Sequence, residues 1–178
     1  SLEYFKYSNS IAEEKGHKNV GLVLGDLGIG IYYTFIGEFE KGDGFLFKSI
    51  KNSIKTGIQS LNILASRSLA ESLFCQGRFK ESLSYFENAL DISEKQELKL
   101  WIIGPIIGVA INRKKLGIKI DYDDVLHNKD KYYQEGNWYE YWYDYLQYLL
   151  FEENQYLKLA YSKLKKITDN LNEKDSEK

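Results

Sequence analysis

Four places in this 178-residue chain carry residue types that could do chemistry. Gly25-Asp26-Leu27-Gly28-Ile29-Gly30 follows the apolar run Val20 to Leu24, the setting in which a glycine-rich loop can cradle phosphates. Its glycines do not reproduce the G-x-G-x-x-G spacing, and no Lys-Ser/Thr pair follows as in a P-loop. A helix whose glycines let a neighbour approach closely accounts for the segment better. Asp121, Asp123 and Asp124 cluster the carboxylates that hard cations favour, but the central glycine and distal glutamate of a calcium loop are missing. The same residues suit the first turn of a helix, where negative charge is stabilised. Cys75 stands between Phe74 and Gln76 with no local base to lower its pKa, so it reads as a small hydrophobe rather than a nucleophile. His17 and His127 are the only histidines and lie far apart in sequence, which leaves zinc almost no ligands. No catalytic, cofactor-binding or metal-ligating residues are assigned, and the chain is expected not to be an enzyme by itself.

A fifth concentration is aromatic. Nine Tyr and Trp residues crowd into the seventeen positions from Tyr132 to Tyr148. On a helix, Trp138, Tyr141, Trp142 and Tyr145 share one face with Leu149, and Tyr139, Tyr143, Leu146 and Leu150 lie beside it. One face must pack on the preceding element, and the surplus suits an interface, because Tyr and Trp bury large areas and keep a polar tip. Stacking on single-stranded nucleic acid would need a companion basic groove. Lys163, Lys165 and Lys166 are too few to form one, and the net charge is −2, so a nucleic-acid partner is not expected.

The elements that must position these residues repeat along the chain. Gly30, Tyr33, Gly37, Phe39, Gly42, Leu46 and Ser49 are followed forty residues later by Ala70, Leu73, Gly77, Phe79, Ser82, Phe86 and Ala89. Small residues land on small ones, apolar on apolar, and turn glycine on turn glycine. A period of this length indicates stacked helical units. Glycine punctuation and helical spacing of apolar residues divide the chain into a second helix of a truncated repeat (1–16), repeats over 19–57 and 59–95, a degenerate repeat over 97–133, a C-terminal helix pair over 137–172 and a frayed tail over 173–178. The third unit keeps Gly117 but places Lys119, Tyr122 and Lys129 where Phe79, Ser82 and Ala89 stand. Gly104-Pro105 predicts a kink or a late start in its first helix, since proline lacks the backbone donor and crowds the preceding turn. A hydrophobic fraction of 43% supports a core, and no run reaches the roughly 20 apolar residues needed to cross a bilayer. With one unpaired cysteine and no signal-peptide pattern, the reading is a cytoplasmic protein. The absence of any methionine and an opening inside a helix read as a segment of a longer protein.

The run Leu69-Ala70, Leu73, Gly77-Arg78-Phe79, Ser82, Phe86, Ala89-Leu90 resembles the tetratricopeptide repeat, which places small residues where its paired helices touch and aromatics in the wedge between repeats. Residues 29–50 match moderately, with Gly42 and Ser49 where alanine is usual, and residues 109–129 match at the turn. The forty-residue period exceeds the family's usual one of about 34. In this it resembles the C-terminal arrays of bacterial multidomain signalling regulators, such as cyclases and LuxR-type ATPase proteins. The resemblance implies an all-α, right-handed α-solenoid of about three and a half antiparallel helix hairpins. It also implies a groove lined by first helices, here Leu24, Leu27, Ile31, Arg67, Glu71 and Phe74. Leu27 and Ile31 stand where carboxylate-clamp members place Lys and Asn, so an apolar or intramolecular ligand is expected. The function expected is a protein-interaction or regulatory module that binds a peptide or a neighbouring domain. The alternative is a structural spacer or homo-oligomerisation element using Trp138, Tyr141, Trp142 and Tyr145.

Overall fold

The computed structural model describes residues 2–14, 20–132 and 140–176. Among these the regular structure is all helical: α1 (Leu2–Glu14), α2 (Val20–Phe35), α3 (Phe39–Thr56), α4 (Gln59–Cys75), α5 (Phe79–Lys95), α6 (Lys99–Lys115), α7 (Tyr122–Tyr132), α8 (Glu140–Phe151) and α9 (Asn154–Ser176). The fold is an all-α solenoid of antiparallel hairpins.

A left-handed residue ends a helix every twenty positions. Gly37, Gly57, Gly77 and Gly117 have φ of 81°, 70°, 75° and 69°, and Glu97 fills the same place with φ of 53°. At Gly77 the turn closes by Gly77 N–H donating to Phe74 O and Arg78 N–H to Leu73 O, both at 2.9 Å. Glu97 and Leu98 repeat that pair onto Glu94 O and Ser93 O at 3.1 and 2.9 Å. These bonds occupy carbonyls that the helix end leaves open. The tight turns force each helix back along its predecessor.

Small residues decide how closely the hairpins shut. A Cβ on Gly30 would lie 2.6 Å from Leu46 Cγ, and one on Gly42 would lie 3.1 Å from Gly30 O. Forty residues on, Ser82 Oγ donates to Ala70 O at 2.7 Å. The same crossing point is thus closed by Gly30–Gly42 in one hairpin and by Ala70–Ser82 in the next. In the third hairpin Tyr122 stands at this point. It is exposed and packs on Phe151 at a ring separation of 5.8 Å.

Successive first helices α2, α4, α6 and α8 pack backbone to backbone in order, whereas α3 and α5 stand farther apart and meet through long side chains, Phe47 against Tyr85 at a ring separation of 6.0 Å. An array joined along one layer and splayed along the other is concave on the joined side. Leu27, Leu46, Ala65, Leu69 and Leu73 form the core of the early repeats. The later core is built on α6, where Ile103, Ile107 and Ile111 meet Leu146 and Leu150 of α8. Helix α6 begins at Lys99 and carries Pro105 inside it, so the late start expected at Gly104-Pro105 does not occur. Helix α9 runs on to Ser176, into the tail expected to fray.

Candidate functional site

Arg67, Glu71 and Phe74 follow at i, i+4 and i+7 on α4, which puts them on one helix face. Arg67 is buried, with its Nε 3.3 Å from Glu71 Oε1. Phe74 packs on Phe79 across the turn at a ring separation of 5.3 Å. Glu71 and Phe74 open onto a cavity of about 60 Å³ whose walls are almost entirely apolar. Phe86 of α5 and Gly108 and Ile111 of α6 also line it, and Tyr145, Leu146 and Leu149 of α8 complete it. Gly108 is needed there because a Cβ would meet the Phe86 ring at 2.4 Å. Three successive first helices therefore converge on one small chamber.

One chamber residue escaped sequence reasoning. Asn112 is fully buried, its Nδ2 donates to Gly108 O at 2.8 Å, and its Oδ1 has no hydrogen-bond partner. The amide orientation follows from chemistry, since a main-chain carbonyl can only accept. The available signal was a lone amide closing the apolar run Ile106 to Ile111. Cys75 lies at the rim, an exposed residue whose thiol is partly desolvated. Desolvation, and then the negative charge of Glu71, push its pKa above the ordinary thiol value, the opposite of nucleophile activation.

The other residues expected to bind a partner are distributed differently. Leu24 and Ile31 are each 44% exposed on α2, with Val20 and Phe35 continuing their stripe at helical spacing. Leu27 is buried in the core with Leu46 and Leu69, so it packs the hairpin instead of lining an open surface. Tyr145 joins Glu71 and Phe74 at the chamber, while Leu24 and Ile31 do not line it. Trp138 lies outside the described residues, as do the side chains of Tyr141 and Trp142.

The places with chemical residue types have structural work. Gly25 and Gly28 face α1, where added Cβ atoms would run into Asn9 and Phe5, so the glycine run is a packing surface. Asp121 Oδ1 accepts from Asp124 N–H at 3.0 Å and caps α7. His127 is exposed on α7, and His17 lies outside the described residues. Among the described residues no group of three potential metal ligands occurs. A larger cavity of about 290 Å³ opens between α5 and α7 over α6. Its rim includes Glu87, Asp91, Glu94, Asp121 and Asp124, and Arg113 is paired with Glu87 at 3.2 Å. No described helix is long and apolar enough to cross a membrane.

No family model matches the sequence, and no curated protein does. Among solved structures, the chain is similar to the crystal structure of a Rap protein complexed with competence and sporulation factor. The TM-score is 0.72 at 16% identity, over 93% of this chain and 47% of that one. The chain thus spans about half the length of that relative. At this identity the likeness speaks for the fold, a tetratricopeptide-like helical repeat.

Proposed function

We propose that this chain is a protein-interaction module of a cytoplasmic signalling protein, and that it binds an extended peptide segment along the concave face of α2, α4, α6 and α8. The observation that carries the reading is the chamber where α4, α6 and α8 converge, with the buried Arg67–Glu71 pair beside it and the amide of Asn112 in its wall. A structural spacer needs neither. The similar Rap protein was crystallised with competence and sporulation factor, which supports a binding role for this kind of array. The ligand would be a separate protein or a neighbouring domain of the same polypeptide. Apolar contacts from Leu24, Ile31 and Phe74 supply affinity, and the fixed Arg67–Glu71 pair sets polarity. No bond-making step is assigned to the module.

Screening a short-peptide library against the native chain and a Phe74→Ala variant, with calorimetry on the hits, tests this. Hits that bind the native chain and lose about tenfold or more in Phe74→Ala, while circular dichroism stays unchanged, are expected. Equal affinities would remove the groove. A second reading, self-association, is favoured by the exposed i, i+4, i+7 row Leu157, Tyr161 and Leu164 on α9. Sedimentation equilibrium of a Tyr161→Glu variant beside the native chain separates it from the first.

A further inference from the structure

We propose that the cleft between α5 and α7, on the outer face away from the groove, is a second docking site that takes an arginine side chain from a partner protein. The cleft originates in the departure of the third hairpin from the repeat. Ala110, forty residues beyond Ala70, keeps the small residue at which a second helix should cross α6. Its counterpart at the crossing is Tyr122, which is too large to enter and packs on Phe151 at a ring separation of 5.8 Å. A cavity of about 290 Å³ opens at that place, with Ile106, Val109 and Ala110 of α6 as its floor and Val125 of α7 beside them. The two earlier hairpins cover the corresponding crossing with their own residues, Gly42 on Gly30 and Ser82 on Ala70. In the third, apolar floor is left for another molecule to cover.

Charge complementarity selects the occupant. Glu87, Asp91, Glu94, Asp121 and Asp124 line the cavity, against one cation, Arg113, among the described lining residues. Arg113 is engaged by Glu87 at 3.2 Å, and Lys95, which does not line the cavity, holds Asp91 at 2.8 Å. Asp121 and Asp124 accept bonds from a backbone N–H and from the Asn128 amide, which satisfy single oxygens without cancelling charge. The rim therefore stays anionic and repels nucleic acid, anionic lipid and acidic peptides. A bare metal ion does not fit either, since no three potential ligands converge among the described residues. The occupant must spread positive charge along the rim and also cover the apolar floor. A long basic side chain does both, because its methylene stem lies on apolar surface while its head meets the carboxylates. Arginine suits the rim better than lysine. Its guanidinium is the more weakly hydrated head and offers five donors to separated carboxylates, where an ammonium is a compact point charge. The volume, roughly ten waters' share of liquid, admits one such side chain and not a folded element.

The test uses a library of acetylated, amidated hexapeptides with arginine fixed at one central position, titrated into the native chain and followed by nitrogen–proton NMR. The amide signals of Glu94, Asp124 and Asn128 should shift. Replacing arginine by citrulline, a neutral near-isostere, should weaken the hits about tenfold. Glu94→Gln combined with Asp121→Asn removes two exposed rim charges and keeps a side chain able to cap α7. This double variant should lose about fivefold for the arginine hits and less than about twofold for their citrulline forms. Phe74→Ala, in the groove, should leave the hits within about twofold of the native affinity. Three results overturn the site and leave the groove standing: arginine and citrulline forms that bind equally, the same arginine/citrulline ratio in the double variant, or shifts that fall on α4 and α8 instead. A library from which nothing binds the cleft of the folded chain overturns it as well.

Discussion

Glu97 is the natural variant of a five-fold internal experiment, because the other four members of the twenty-residue turn series, Gly37, Gly57, Gly77 and Gly117, are glycine. Glu97→Gly should stabilise the chain, and Gly77→Ala should destabilise it through the same physical cause. A residue with a Cβ in the left-handed region costs roughly 1–2 kcal/mol. Glycine returns part of this, roughly 0.5–1 kcal/mol, because it loses more freedom on folding. The net expectation for Glu97→Gly is a gain of about 0.5–1 kcal/mol. The turn's backbone bonds, Glu97 N–H to Glu94 O and Leu98 N–H to Ser93 O, do not depend on the side chain and remain. Gly77→Ala isolates the backbone contribution, because a Cβ there would meet nothing within 4 Å, and should lose about 1 kcal/mol. For a chain of this length each 1 kcal/mol moves Tm by about 2–4 °C. Thermal and urea melts followed by circular dichroism would read both shifts. A Glu97→Gly variant that melts at or below the native temperature, beside a Gly77→Ala variant that melts unchanged, would refute the reasoning.

Asp43 should be a main fastener between the first two hairpins. Its buried carboxylate accepts from Ser72 Oγ at 2.6 Å and Gln76 Nε2 at 3.0 Å and pairs with Arg78 at 3.5 Å. Asp43→Ala is expected to lose about 2–3 kcal/mol in urea denaturation, whereas a loss below about 0.5 kcal/mol would mean the contacts contribute little. For Cys75, desolvation first and the Glu71 charge second raise the pKa. The protonated thiol is therefore the favoured form in the folded state until pH passes above the ordinary thiol value. Alkylation rate against pH should show a midpoint above that of a free cysteine, and Glu71→Gln should lower it by the smaller part of the shift. A midpoint at or below the free-thiol value would contradict the burial argument.

The hairpins were legible because their causes are local. Turn glycines at 37, 77 and 117 state where the chain must reverse, and the small pairs Gly30–Gly42 and Ala70–Ser82 state where helices cross. The glycines of α2 were readable as packing residues for the same reason, although which atoms they admit, Asn9 and Phe5, depends on contacts across the hairpin. Glu97 hid a turn in the same series because its left-handed conformation is held by the two flanking backbone bonds and not by its residue type. Leu27 was misplaced because helical spacing alone does not say which apolar face of α2 meets α3 and α4. Only the position of Leu46 and Leu69 resolves that.

The chamber was illegible for a deeper reason: none of its helices contains it. Glu71 and Phe74 were readable as a helix face and Tyr145 as part of an aromatic one, but Asn112 looks like an ordinary amide near a helix end. Its meaning comes from neighbours 37 residues before and after it in sequence, brought together when α6 packs between α4 and α8. The decay of the repeat contributes to that meeting. Tyr122 cannot close the third hairpin as Gly42 and Ser82 close theirs, so α7 stands off α6 on the outer face, where the acid-rimmed cavity opens. Core formation in this part of the array then rests mainly on α6 and α8, through Ile107, Ile111, Leu146 and Leu150, with Val125 from α7. The inner contact that replaces a tight hairpin is the one that builds the chamber, so the place where the repeat departs from its pattern is also where a binding site can form.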